Sequence, residues 1–274
     1  MLTAPAGLIP VGTGRRAAPE GFPVLEHAGV DLTDLAAVQA LFAADDFVGV
    51  IHSAAHTAVD QAEEEEELAY QVNAVAAENV ARCCAQAGIP MVLVSTDFVF
   101  GGDGQKPYLP SDATQPLGAY GRTKHAGEQL ALAAHPEGLA ILRTQWLYGP
   151  RGNHFPGTML RLAQERDSLR VVSDQVGSPT STLELAPALW GALQAGARGI
   201  HHASCSGEAS WCDFARETLR LAGSKTTVEP CSTSEFPRPA PRPAYSVLDG
   251  SSLTALLGKS MKPWQAALAD FLAL

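Results

Sequence analysis

Basic residues are scarce in this sequence of 274 residues: 19 Lys and Arg stand against 29 Asp and Glu, a formal net charge of −10. That balance excludes a dedicated nucleic-acid binder, which needs a basic face for phosphates. It does not exclude an anionic small ligand held by a few placed cations and backbone N–H groups. Long apolar runs are missing too, none approaching the ~18–20 residues that span a bilayer. Met1–Val11 is followed, not preceded, by its positive charges Arg15 and Arg16, so no secretory leader and no membrane association are expected. Cysteines number five, an odd count with Cys83 and Cys84 adjacent. Such a set makes no disulfide framework, and buried reduced thiols in a cytoplasmic protein are expected.

What is present is an alternation of short apolar runs with helical patterns. Strands are expected at Leu8–Val11, Val24–Val30, Phe47–Ser53, Met91–Ser95, Leu139–Leu142 and Leu169–Val172. Helices are expected at Asp34–Ala44, Asp60–Ala87, Tyr120–Ala134, Thr158–Arg166, Leu183–Ala195 and Trp211–Ala222, the last opened by a Ser210/Asp213 capping box. Runs such as Met-Val-Leu-Val, with little polar alternation, belong to strands covered on both faces. The fold class is therefore α/β, a doubly wound parallel sheet with a smaller C-terminal lobe. The division falls at residues 1–146 and 147–274, with some elements of the second part returning to the sheet. The Glu63–Glu67 run reads as a solvated helix start favoured by the helix dipole. Phe236–Pro243, rich in proline, reads as an extended, ordered excursion.

A glycine-rich strand–turn–helix is missing from the front. Gly12-Thr13-Gly14 is followed by Pro19, Gly21 and Pro23, so no helix opens there to hold a dinucleotide pyrophosphate. Leu8–Val11 is better placed as the second strand of such a sheet, with Arg15 and Arg16 at its carboxyl end, near a cofactor's adenosine ribose and placed to bind a 2′-phosphate. On this reading the first βα unit is absent, and negligible turnover is expected of the chain as given.

The strongest chemical constellation is Tyr120-Gly121-Arg122-Thr123-Lys124. Tyr and Lys four apart share a helix face. An ammonium near the phenol lowers its pKa, so that the tyrosine can serve as general acid to a carbonyl oxygen. Ser95-Thr96-Asp97 ends a buried strand one loop upstream, where ligands of open α/β sheets gather, and its hydroxyl can donate to the same oxygen.

Several segments occur in a telling order: Ala54-Ala55-His56-Thr57-Ala58-Val59-Asp60, Ser95 to Gly101, Tyr120 to Glu128, and Arg143-Thr144-Gln145-Trp146-Leu147-Tyr148-Gly149. Asn153-His154-Phe155, Thr158-Met159-Leu160-Arg161, Asp174 to Thr180, and Arg242-Pro243 with Ser246 to Asp249 follow them. Together they resemble the motifs of the dTDP-4-dehydrorhamnose reductases, extended short-chain dehydrogenase/reductases, from about Gly7 onward. The resemblance implies a Rossmann-like fold and reduction of the 4-keto group of dTDP-4-dehydro-L-rhamnose to dTDP-L-rhamnose by NADPH or NADH, in nucleotide-sugar biosynthesis.

By matching position, the resemblance makes Tyr120 the proton donor. Lys124 would hold the nicotinamide ribose and tune Tyr120, and Thr96 would hydrogen-bond the substrate oxygen. Asp97 and Trp146 would shape the sugar pocket. Ala54, Ala55 and His56 would line the cofactor, with Asp31 and Leu32 near the adenine. Asn73 matches a helix asparagine common in the superfamily. Phe98 stands where tyrosine is usual, and Gly118 where a polar residue is. Arg242 joins Arg15, Arg16 and Lys124 as a cation for the anionic ligand. Some relatives use a metal in dimer contacts. Glu184 alone makes no metal site and none is expected, while a homodimer is compatible with the family.

Two other readings stand beside this one. A non-catalytic regulatory relative would resemble the β subunit of methionine adenosyltransferase, which also carries Gly-x-Gly and arginines after its second strand. A nucleotide-sugar epimerase or dehydratase would hold NAD tightly. The Trp146, Asn153–Arg161 and Asp174–Thr180 segments favour the reductase.

Overall fold

In the computed structural model, residues 5, 7–13 and 26–274 are described, the side chains of 26–28 aside. The first half is laid out as β1 (Val11–Thr13), β2 (Glu26–Ala28), α1 (Leu35–Ala44), β3 (Val50–His52), α2 (Glu66–Tyr70), α3 (Ala76–Ala87), β4 (Met91–Thr96), α4 (Ala119–Ala134) and β5 (Leu139–Thr144). The second half follows with β6 (Leu147–Tyr148), α5 (Phe155–Ala163), β7 (Ser168–Val172), β8 (Val176–Gly177), β9 (Thr180–Ser181), α6 (Thr182–Gln194), β10 (Gly199–His202), β11 (Ala209–Ser210), α7 (Trp211–Leu221), β12 (Thr227–Cys231), α8 (Ser251–Leu257) and α9 (Trp264–Leu272).

Four parallel strands make the main sheet in the order β10-β5-β4-β3, and β1 pairs with β2, also parallel, as a separate two-stranded sheet. β4 explains why the sheet is wound on both sides. Met91 and Leu93 pack with Val80 of α3 and Ala131 of α4, while Val92, pointing the other way, packs with Leu189 of α6 and Leu253 of α8. Each such buried aliphatic side chain contributes about 1.5–3 kcal/mol, so the uninterrupted apolar run is what a doubly covered strand requires. A third cluster, around Tyr148, Phe214, Trp264 and Leu268, forms the core of the C-terminal part.

Local signals account for several helix ends. The Asp34 side chain accepts from Ala36 N to open α1, and Ser210 and Asp213 form the expected capping box at α7. Other boundaries shift. The first strand begins at Val11, because Pro10 has no N–H to give to a ladder. The expected helix over 60–87 is interrupted. It comprises a 3₁₀ turn at Gln61–Glu63, α2, a π-helical turn at Gln71–Val75, and α3. The helix expected over 158–166 spans Phe155–Ala163, capped by the His154 ring accepting from Gly157 N.

Candidate active site

The carboxyl end of β4 carries the centre of the site. Thr96 leaves the strand extended, its hydroxyl accepting from Phe98 N at 3.2 Å and donating to Asp97 Oδ1 at 3.0 Å. Asp97 is buried, and that burial lifts its carboxyl to about 6 against the pull of hydrogen bonds from Ser246 and Thr96. Its Oδ2 finds no partner among the described residues.

α4 begins beside this turn. Its N-cap, Gly118, has no side chain to cap with, and the Glu63 carboxylate accepts from Ala119 N at 2.8 Å in its place. A Cβ on Gly121 would stand 2.2 Å from Phe98 O, so only glycine lets the helix lie this close to the 97–99 turn. The approach sets the Tyr120 ring edge-on to Phe98 with centroids 5.4 Å apart. One turn on, Lys124 is buried and donates to Val94 O at 2.8 Å.

The electrostatics correct one expectation. Burial pushes the Tyr120 hydroxyl up to about 12, with Thr96 pulling it down and Asp97 adding to the rise. Lys124 is lowered to about 8 by burial, with Glu128 opposing. Lys124 thus does not lower the phenol here: its ammonium is directed at a backbone carbonyl.

The segment after β3 is held by Asn73, which the π-helical turn places in the interior. Asn73 Oδ1 accepts from His56 N at 2.7 Å, and its Nδ2 donates to His56 O and to Thr123 Oγ1. Ala54 is exposed and Ala55 partly so. His56 Nε2 lies 3.5 Å from Glu65 Oε2, while its buried Nδ1 has no partner among the described residues. Asp31 Oδ1 accepts from Thr33 N and Thr33 Oγ1, and Leu32 O accepts from Asn79 Nδ2. Arg15 and Arg16, with Gly14, lie outside the described residues.

Trp146 emerges at the same end of the sheet, two residues past Thr144, which is in register with Thr96. It has φ +47°, the one positive φ of a non-glycine residue among the described residues. Its ring stacks on Trp211 at 3.6 Å, and Gly177 leaves room for it, since a Cβ there would sit 2.6 Å from Trp146 Cε2. Trp211 Nε1 donates to Gln175 Oε1.

Two further readings change. The Glu63–Glu67 run is not simply a solvated helix start, because Glu63 caps α4 and Glu66 takes both Arg122 Nε and Nη2. Arg242 is paired with Asp60 at 2.7 Å, and Ala240 N also donates to Asp60, so this arginine fastens the proline-rich excursion. Among the described residues, no group of three or more His, Cys, Asp or Glu is placed to hold a metal ion, and Glu184 pairs with Lys262.

Sequence reasoning missed His52, Glu128 and Trp211. His52, at the end of β3, is buried with Nε2 unpartnered among the described residues, and burial together with the Lys124 charge lowers it to about 3. A lone polar residue ending an apolar strand is the signal that marks it. A cavity of about 430 Å³ opens elsewhere, between His202, Ser204, Leu253 and Met261, without Tyr120, Lys124 or Thr96 in its wall.

Comparison with known proteins agrees with this geometry. The family model for the RmlD substrate binding domain matches residues 6–274. A dTDP-4-dehydrorhamnose reductase of Mycolicibacterium smegmatis is 42% identical over 280 residues, covering 100% of this chain and 84% of the relative. Two solved structures are similar across 96% of this chain and 98% of their own. One, a dTDP-4-dehydrorhamnose reductase of Clostridium acetobutylicum, has a TM-score of 0.88 at 38% identity. The other, from Bacillus anthracis in complex with NADP, has 0.89 at 36%. With its Tyr120–Lys124 helix set against the Thr96 strand end, this chain belongs to the family of the RmlD substrate binding domain.

Proposed function

We propose that the chain is an NADPH- or NADH-dependent reductase of the 4-keto group of dTDP-4-dehydro-L-rhamnose, yielding dTDP-L-rhamnose. The observation that carries the reading is the grouping of Thr96, Tyr120 and Lys124 at the carboxyl end of β4, where Gly121 lets α4 close on the 97–99 turn and Lys124 reaches back to the Val94 carbonyl. The relatives supply the substrate class, and the Bacillus anthracis relative supplies the cofactor class. They lend no support to the expectation of negligible turnover.

The residues present fit the nicotinamide half of the cofactor. Ala54 is exposed and small, His56 Nδ1 is a buried donor or acceptor without a partner among the described residues, and Lys124 is a buried cation. Ala54, Ala55, His56 and Lys124 would hold it, with Asp31 and Leu32 toward the adenine and Arg15 and Arg16 toward a 2′-phosphate. When bound, the cofactor supplies the hydride.

This chain's residues handle the proton and the orientation. Thr96 and Tyr120 hydrogen-bond the substrate's keto oxygen, and Tyr120 gives up its phenolic proton to that oxygen as negative charge develops. A phenol at about 12 is fully protonated at neutral pH, which suits a donor. Lys124, its ammonium anchored on the Val94 carbonyl, holds the nicotinamide ribose rather than tuning the phenol. Asp97 and the Trp146–Trp211 stack shape the sugar pocket. Residues 1–146 serve the cofactor and most of 147–274 the nucleotide sugar, with β10 and α6 returned to the sheet. Five buried free thiols fit a reducing, cytoplasmic setting.

The test is product analysis. Incubation of the full chain with NADPH and dTDP-4-dehydrorhamnose is expected to yield dTDP-rhamnose in step with NADPH oxidation, and a regulatory relative would yield none.

A further inference from the structure

Directly behind the Tyr120–Lys124 pair lies a charged group that the reaction above does not use. Glu128, one helical turn after Lys124, is fully buried, and so is Arg143 of β5. Glu128 Oε1 accepts from Ser95 Oγ at 2.5 Å and from Arg143 Nε at 2.9 Å, and its Oε2 accepts from Arg143 Nη2 at 2.6 Å. His125 Nδ1 stands 3.6 Å from Oε2 on the outer side. The Arg143 guanidinium lies over the Phe100 ring, 5.1 Å from its centroid. Ser95 and Arg143 are register partners across β4 and β5. One carboxylate therefore joins the helix carrying Tyr120 and Lys124 to the strand end carrying Thr96.

We propose that Glu128 is a positioning residue of the reductase site: anchored by Ser95 and Arg143, it fixes α4 against the end of β4 and supplies the counter-charge for the Lys124 ammonium. Burial alone would neutralise such a carboxyl, but Arg143, His125 and Ser95 together hold it down to about 2, so it is an anion at every working pH. The groups around Lys124 leave it as the anion that matters. β3 contributes His52, which is neutral, and β4 contributes the Val94 carbonyl and Ser95. Asp97 follows β4, Arg143 of β5 sits beyond Glu128, and α4 itself carries Tyr120, His125 and Glu128. Of these, Glu128 is the one that raises Lys124 against its desolvation. Glu128 touches neither the phenol nor the Thr96 hydroxyl, which makes its role one of placement and charge.

The proposal rests on the reductase reading for its purpose, but its test does not. The sequence holds five lysines, so Nζ resonances of the full chain labelled with ¹⁵N-lysine are few, and Lys124→Met assigns the one in question. Lys124 is expected to titrate near 8, below the ordinary lysine value. Glu128→Gln is expected to lower its midpoint by about one unit, and Glu128→Asp to keep it close to wild type. Because Glu128→Gln leaves Arg143 buried and uncompensated, and so can fail to fold, Glu128→Gln/Arg143→Met is measured alongside it. Replacing both members of a buried pair with groups of similar volume is commonly tolerated, and a downward shift smaller than that of Glu128→Gln is expected, because the Arg143 cation leaves with the anion. The basic limb of kcat/KM should move with the midpoint. A lowered midpoint supports the role of Glu128 even if the wild type turns over no substrate, a result that would count against the reductase reading alone. A midpoint unchanged in Glu128→Gln, or raised in the double variant, overturns the role of Glu128, whatever the turnover.

Discussion

Asn73 binds His56 by both of its backbone groups, accepting from its N–H at 2.7 Å and donating to its carbonyl at 3.3 Å. The same amide donates to Thr123 in α4 at 3.0 Å. A π-helical turn makes this reach, and such turns often mark functional sites. The loop proposed to line the cofactor is thus tied, through one buried side chain, to the helix proposed to hold the proton donor.

Asn73→Ala should therefore separate two effects. Loss of these hydrogen bonds is expected to cost about 1–3 kcal/mol of stability, measured by urea unfolding. It should also weaken NADPH binding by roughly tenfold, or about 1.4 kcal/mol, measured by fluorescence titration. Loss of stability with unchanged NADPH affinity would make Asn73 a purely structural residue.

Gly121 permits the contact between α4 and the 97–99 turn, since a Cβ would meet Phe98 O at 2.2 Å. Gly121→Ala is expected to destabilise the chain by about 1–3 kcal/mol and to displace Tyr120. A misplacement on the order of 1 Å costs about 100-fold in rate. The far-ultraviolet melt and kcat check the two parts. A fully active, stable Gly121→Ala chain would show that the close approach is dispensable.

Stability should fall on the acid side for an identifiable reason. His52 and His202 are buried and pulled down to about 3 and about 4, so the unfolded chain binds protons that the folded one refuses. Their contribution is present above the ordinary histidine pKa of 6.5 and is lost as pH falls from there toward about 4 and then about 3. Asp97, raised to about 6, works the other way between about 6 and 4, where its protonation favours the fold. The two histidines outweigh it, for a net loss of a few kcal/mol by pH 4.5. His202→Leu should lessen that loss by about 2 kcal/mol, and an equal pH slope in both proteins would remove His202 from the account.

Much of this was legible in the sequence, and the remainder fails for definable reasons. Met91–Val94 and Leu139–Leu142 announce doubly covered strands because burial on both faces favours an unbroken apolar run. Tyr120 and Lys124 share a helix face by spacing alone. The π-helical turn at Gln71–Val75 leaves no such mark, because it answers to a close approach from α4: a Cβ on Gly127 would lie 2.2 Å from Asn73 O. Arg242 looked available for an anion and is instead paired with Asp60, 182 residues away in sequence. Spacing alone points to a lowering of Tyr120 by Lys124 and says nothing of the Val94 carbonyl that receives the ammonium. β10, α8 and α9 are short, and burial against distant partners decides them more than local pattern.

The central claim is that Tyr120 delivers a proton in a hydride-dependent keto reduction. Its most direct test is single-turnover NADPH oxidation with dTDP-4-dehydrorhamnose, comparing the wild-type chain with Tyr120→Phe. The account predicts substrate-dependent oxidation by the wild type, and a loss of about 100-fold or more in Tyr120→Phe with NADPH affinity within about twofold. Equal oxidation rates in the two proteins, or none in a folded wild type that binds NADPH, would contradict it.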